Sequence, residues 1–230
     1  MKSIARLLVL GLFALPAFAD HNDAGDARKQ LEKADAVLQA SLSAPDKGIP
    51  KDALDKAECV GVFPDVKKAA FIVGGQGGHG VFTCRDSSGT FGPPAYFKIA
   101  GGSVGWQFGG QETDLVLLVM NDDGMKHLLE DKFTIGAEAT ATAGPVGRTA
   151  KAATDAELHA GILSWSRSQG AFIGAALDGS VVKPDKDMNR AVYGSDVTAR
   201  AILMDRSVQP KDATAYLKSL NSSPRSESNR

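Results

Sequence analysis

Between residues 24 and 42, apolar side chains recur at helical spacing (Ala27, Leu31, Ala34, Leu38, Leu42), while Arg28, Lys29, Glu32, Lys33 and Asp35 take the other faces. This is the pattern of an amphipathic helix. Ala44-Pro45-Asp46-Lys47-Gly48 ends it. Pro50 suits the first turn of a short second helix carrying Ala53, Leu54 and Ala57. From Cys59 to Arg148 the period changes. Short apolar runs at 59–63, 69–74, 80–84, 95–100, 103–109, 113–120 and 133–143 are rich in Val, Phe, Ile and Thr and punctuated by Gly. They predict several short antiparallel strands. Met125 to Glu130 predicts a short helix, and the capping box Thr154-Asp155-Ala156-Glu157 predicts another from about 155 to 168 with Leu158, Ile162 and Trp165 on one face. Ala171–Leu177 and Val181-Val182, around Asp178-Gly179, read as a last strand pair. Ser195 is placed to cap a helix through Ala199–Met204, and Lys211–Leu220 forms a terminal helix. Residues 221–230 are polar and read as a disordered tail.

Glycines and alanines crowd the strand region, at Gly101, Gly102, Gly105, Gly109 and Gly110 and again from Gly136 to Gly144. Glycine inside a strand marks a bulge, a bend or a close backbone approach. The expected fold is therefore α+β: a curved, barrel-like, mainly antiparallel sheet packed with several helices. With no linker in view, residues 49–220 read as one domain preceded by the helical segment 20–48.

The first nineteen residues carry a different signal. Lys2 and Arg6 precede an apolar run, Leu7 to Leu15, and Ala17-Phe18-Ala19 supplies an A-x-A site. This predicts a cleavable export signal, cut after Ala19, and a periplasmic or extracellular protein. Removing Lys2 and Arg6 leaves 24 basic against 27 acidic residues, a mature charge of about −3, which is unlike the strongly basic face of a nucleic-acid binder. In an oxidising compartment the isolated pair Cys59 and Cys84 is a disulfide candidate, two buried thiols being the alternative.

Several motifs suggest chemistry. Gly75, Gly77 and Gly80 spell G-x-G-x-x-G, but Val81-Phe82-Thr83-Cys84 follows where a dinucleotide site needs a helix. Gly101-Gly102-Ser103-Val104-Gly105 spells G-x-S-x-G, with Asp114, Asp122, Asp155, His127 and His159 downstream. A nucleophile elbow also needs a helix after the serine, and Trp106-Gln107-Phe108-Gly109-Gly110 is a poor one. A serine hydrolase using Ser103 is thus the weaker reading. His21, His79, His127 and His159 have no metal-ligand spacing, and His79 reads as a solvated loop residue. No metal or cofactor is implied. Basic residues flank the predicted elements: Lys67 and Lys68 just before a strand, Arg85 at the end of the next, Arg148 after Gly144-Pro145-Val146-Gly147, and Arg167 at the end of the capped helix. Lysine as a point charge and arginine as a fork, beside glycine backbone, suit an anionic phosphate-bearing headgroup.

The chain resembles the SYLF, or Ysc84, domain family. The resemblance rests on Val62-Phe63-Pro64-Asp65-Val66-Lys67-Lys68-Ala69-Ala70-Phe71-Ile72-Val73-Gly74-Gly75, Pro94-Ala95-Tyr96-Phe97, Gly101-Gly102-Ser103-Val104-Gly105, Gln111 through Asn121, Ala143 through Arg148, Trp165 through Phe172, and Tyr193-Gly194. It implies lipid binding without catalysis, the partner being an anionic phospholipid or membrane surface. It also implies that residues 24–42 occupy the place of a membrane-contacting helix. For an exported bacterial member, actin is an unlikely partner. A structural or stress-related envelope protein that binds other proteins through a sheet edge is a further alternative.

Overall fold

The computed structural model describes residues 23–43, 48–139, 141–145, 160–168, 171–175, 177–194, 197–208 and 213–222, with side chains described except at 69–73, 103–111 and 168. The expected signal and tail segments, Arg148, the capping box at 154–157 and Ser195 lie outside these residues.

Helix α1 (Asp23–Leu42) and the short α2 (Lys51–Lys56) lead into two very long strands, β1 (Cys59–Cys84) and β2 (Ala95–Val119). These pair antiparallel along nearly their whole length, from Cys59 opposite Val119 to Phe82 opposite Ala95. The six separate runs expected between 59 and 120 are therefore two strands. Glycine bends a strand without interrupting its hydrogen-bond ladder, and the irregularities here are register shifts between Phe63 and Val66 and between Ala70 and Ile72. After α3 (Asp122–Leu128) come β3 (Phe133–Thr134), β4 (Ala141–Ala143), β5 (Ile162–Ser168), β6 (Ala171–Gly174) and β7 (Val181–Pro184). Helices α4 (Lys186–Tyr193), α5 (Ala199–Leu203) and α6 (Thr214–Asn221) complete the described chain.

The β1–β2 ribbon is the frame. One end of β2 receives β7 at residues 97–100, and the other receives β5 at residues 114–119. Strand β3 extends β7, and both β4 and β6 extend β5. The β4–β5 pairing is parallel, so the curled sheet is mixed rather than wholly antiparallel. Strands β6 and β7 do not pair with each other as expected; each goes to a different end of the ribbon.

Between its ends the ribbon doubles back. Cys59 and Cys84, the first and last residues of β1, form a disulfide with Cα atoms 4.0 Å apart. Glu58 O accepts from Arg85 N at 2.8 Å beside it. The two halves meet through a reciprocal packing of rings on glycines. The Phe82 ring lies where a Cβ on Gly61 would be, and the Phe63 ring where a Cβ on Gly80 would be. Phe63 and Phe82 then meet edge-to-face at 5.7 Å, and Phe82 meets Phe97 likewise at 5.0 Å. Such pairs add roughly 0.5–1.5 kcal/mol each beyond the area they bury.

Strands of this frame are covered on both faces, which is why Leu115–Val119 is apolar without alternation. Val60, Val62, Val116 and Leu118 face a layer that includes α1, α2 and α6; Phe63, Phe82, Leu115, Leu117 and Val119 face a second core that includes α5. β5 shares both cores, with Ile162 in one and Leu163 and Trp165 in the other. The helix expected over 155–168 is thus a strand over 162–168. Adjacent positions buried on opposite faces mimic helical spacing, and the serines between them are small enough to pack, Ser164 donating to Ala175 O at 2.6 Å.

The glycine packing is directly testable. Gly80→Ala should lower the unfolding free energy by about 2–3 kcal/mol, because both the Phe63 ring and the Val62 carbonyl stand in the way. Gly102→Ala, where a Cβ would meet nothing within 4 Å, should cost less than about 1 kcal/mol. Urea midpoints at constant slope read both. Equal effects would remove the assigned role of Gly80.

Candidate functional site

Where the ribbon folds back, its two feet touch. A Cβ on Gly78 would stand 3.0 Å from Val66 Cγ2. Residues 67–77 of β1, with their partners on β2, therefore form an arch standing on the double-layered body. Among the described residues no third strand pairs with 66–76 of β1 or 101–113 of β2. From foot to crest is six residues, Lys67 to Ile72, so at about 3.3 Å per residue the arch reaches at most about 20 Å.

Lys67 lies at one foot with its side chain 78% exposed; it faces Glu112 across the ribbon, with Nζ 4.0 Å from the carboxylate. An exposed pair this long contributes little and leaves the ammonium free to meet another anion. Lys68 follows, half-buried. Of the five basic residues expected at the site, these two stand on the arch.

The structure redirects two others. Arg85 is buried, 6% exposed, and its guanidinium donates to Ala57 O at 3.2 Å, Gly89 O at 2.5 Å and Leu54 O at 3.4 Å while lying 3.9 Å from the centre of the Phe91 ring. It ties α2 to the β1–β2 connection and cannot reach a headgroup. Arg167 is three-quarters buried and donates from Nε and Nη2 to Asp114 Oδ2 at 2.8 and 2.5 Å. The other oxygen of Asp114 accepts from the Asp65 amide at 3.1 Å, and Asp65 in turn holds Lys33 of α1 at 2.7 Å. Asp65 sits at φ 50° in the Phe63/Val66 register shift, so this chain of pairs fixes the bulge from which the arch rises.

The opposite foot is fixed by a cluster that sequence reasoning missed. His79 and Lys98 are cross-strand partners, and both reach Asp185, the N-cap of α4. His79 Nδ1 lies 2.9 Å from Oδ2, Lys98 Nζ 3.0 Å from Oδ1, and the Met188 amide 3.3 Å from Oδ1. Asp185 is 2% exposed. Burial alone would push its carboxyl up, but the bonds from His79, Lys98 and the Met188 amide outweigh that and hold it down to about 2. His79 is thus a strand residue with a buried partner, not a free loop histidine. The recoverable signal was Pro184-Asp185 ahead of a short amphipathic stretch, an N-cap signature. Asn189 and Tyr193 dock the same helix on the start of β2, through Tyr96 N and O and Pro94 O.

A cleft of about 620 Å³ lies beside this cluster, lined by Asp26, Lys29, Lys33, His79, Lys98 and Asp185 among others. Its lysines are answered by carboxylates: Lys29 by Asp26, Lys33 by Asp65, Lys98 by Asp185. It is a locked junction of α1, α4 and the ribbon rather than an open anion site. Helix α1 itself buries its stripe of Ala27, Leu31, Ala34, Val37 and Leu38 in the core. Docked in this way it cannot present that stripe to a membrane, contrary to what the family resemblance implied.

Ser103 pairs with Gly74 in mid-strand, inside a β2 that runs on to Val119. The strand–turn–helix geometry of a nucleophile elbow does not form there. Likewise the G-x-G-x-x-G glycines lie within β1.

The sheet folds back on itself around a projecting ribbon, with the G-x-S-x-G serine in mid-strand. Residues 100–223 match the family model described as Ysc84, Las17-binding protein actin regulator. Similar proteins include LAS seventeen-binding protein 3 of Saccharomyces cerevisiae, 33% identical over 171 residues that make up 73% of this chain and 37% of that one. Protein YSC84 of the same yeast is 30% identical over 85% of this chain and 43% of its own length. The human SH3 domain-containing YSC84-like protein 1 is 29% identical over 85% of this chain and 58% of its own. The chain belongs to the Ysc84 family, and it spans between about a third and three-fifths of the length of these relatives.

Proposed function

We propose that this protein is an exported, non-catalytic lipid-binding protein of the bacterial envelope that recognises anionic, phosphate-bearing headgroups. The observation that carries this reading is the pair Lys67-Lys68 on an arch whose edges carry no other strand among the described residues. The N-terminal signal supports export, and the Cys59–Cys84 disulfide suits an oxidising compartment.

Co-sedimentation with phosphatidylglycerol-containing against pure phosphatidylcholine vesicles tests it. Binding should favour the anionic vesicles, weaken with salt, and fall about tenfold or more in a Lys67→Glu/Lys68→Glu variant whose thermal melt is unchanged. Equal binding to both vesicle types, or none, would overturn the reading.

Protein binding is a second reading. The unpaired ribbon edge favours it, as does the name of the yeast relative, which is that of a binding protein. It predicts a stoichiometric protein partner and no preference among vesicles.

A further inference from the structure

We propose that the crest of the arch, residues 69–73 of β1 and 104–108 of β2, enters the apolar boundary of a phospholipid leaflet while the lysines at its foot hold headgroup phosphates. The inference rests on the lipid-binding reading above and adds the segment that crosses the headgroup layer.

Three observations converge on this ribbon. From Ala69 to Gly78 and from Ile99 to Gln111 there is no charged residue, in a chain that is 23% charged overall. The backbone register sets Val73 opposite Val104 and Ile72 opposite Gly105, and Phe71, Trp106 and Phe108 lie near them in sequence. Aromatic residues, tryptophan above all, favour the membrane interface. Second, the internal packing accounts for Gly61, Gly78 and Gly80, and Ser180 crowds Gly101, but Gly75 and Gly102 on the arch have open space instead. A Cβ on Gly75 would meet only the Gly101 carbonyl at 3.9 Å, and one on Gly102 nothing. At Gly75 and Gly102 the slenderness of the legs answers no demand of the core. Third, a two-stranded ribbon without further partners is marginal in water, so a strand pair this apolar needs something to lie against.

Charge and geometry decide what that is. Lys68 is four residues from Ile72, at most about 13 Å along the strand, which puts its ammonium at headgroup level when the crest reaches the acyl boundary. A second protein chain would have no need of cations set back from an uncharged tip. Insertion is shallow for two reasons. An arch of at most about 20 Å cannot cross a hydrocarbon core of about 30 Å. The ribbon's edge N–H and C=O groups also need water or headgroup partners, which the acyl interior lacks.

The test uses Trp106 as its own probe. The chain has two tryptophans, and Trp165 is fully buried. With phosphatidylcholine–phosphatidylglycerol vesicles brominated along the acyl chain, wild-type emission should be quenched, most by bromines near the headgroup. Trp106→Phe should abolish the quenching. Phe71→Ser/Phe108→Ser should reduce partitioning by about tenfold, equivalent to losing half the burial of one phenylalanine, while retaining the salt-sensitive component and an unchanged melt. If wild-type protein sediments with anionic vesicles but its emission is quenched no more than that of Trp106→Phe, the crest does not insert; headgroup binding then stands and this inference falls. A dimer in solution that Phe71→Ser/Phe108→Ser dissociates, without quenching, would assign the crest to a second copy and overturn it too. Absence of sedimentation overturns both readings.

Discussion

Replacing Asp185 by alanine is expected to destabilise the fold by about 3 kcal/mol, the low end of the range for removing one partner of a buried ion pair, because Lys98 and His79 are themselves one-third to one-half exposed. The carboxylate is 2% exposed and holds the Lys98 ammonium and a ring nitrogen of His79 at once, so its loss leaves Lys98 facing a site built for an anion. It also removes the N-cap of α4, worth roughly 1 kcal/mol by itself. Asp185→Asn separates the two contributions, because asparagine caps as well as aspartate but carries no charge. It should recover the cap and lose the pairing. The pH dependence follows from the direction of the shift. The folded carboxyl titrates at about 2, below the usual 3.8. Its contribution of about 2 kcal/mol is fully present above pH 4 and is lost as pH falls through about 2. Urea denaturation between pH 2 and pH 5 should show this loss in the wild type, and Asp185→Asn should flatten it. An Asp185→Ala variant as stable as wild type would mean that the cluster does not hold the ribbon's foot.

Loss of the disulfide is the second large effect. Cys59 and Cys84 lie 25 residues apart in sequence, and closing a loop of that length removes roughly 3 kcal/mol of denatured-state entropy. In a protein of this size that corresponds to a fall in Tm of about 6–12 °C. Calorimetry of the Cys59→Ala/Cys84→Ala variant, and of wild type under reductant, should both show it. Two titratable thiols in the unreduced, unfolded wild type would overturn the expectation. The bond joins the two halves of the ribbon where they meet, so its loss should also loosen the feet of the arch. Hydrogen exchange of residues 60–63 and 80–83 would rise before that of α6.

The glycine positions and β-prone runs made the curled α+β sheet legible, because close backbone approach leaves a compositional trace. Strand number was not legible, since a glycine that ends a strand and one that bends it look alike until the ladder is seen. The helix expected at 155–168 failed over its second half for a related reason: Ile162, Leu163 and Trp165 are buried on two faces of one strand, and two-sided burial erases the period of two. Within the basic set, one-dimensional position could not distinguish Lys67 from Arg85. Both flank apolar runs in the sequence, but Arg85 lies where three backbone carbonyls converge, a property of the fold alone. Of the Asp185 cluster only the N-cap was legible, at Pro184-Asp185; its pairing with His79 and Lys98 was not, being assembled from three elements up to 106 residues apart.

The reciprocal seating of Phe82 on Gly61 and Phe63 on Gly80 links these four positions as two volume-sharing pairs. Enlarging either glycine is harmful unless the ring opposite shrinks, so substitution histories at 61 and 82, and at 63 and 80, should be correlated. In aligned family members, a bulky residue at one member of a pair should come with a glycine at the other, and an exchange of the two should survive where either single change does not.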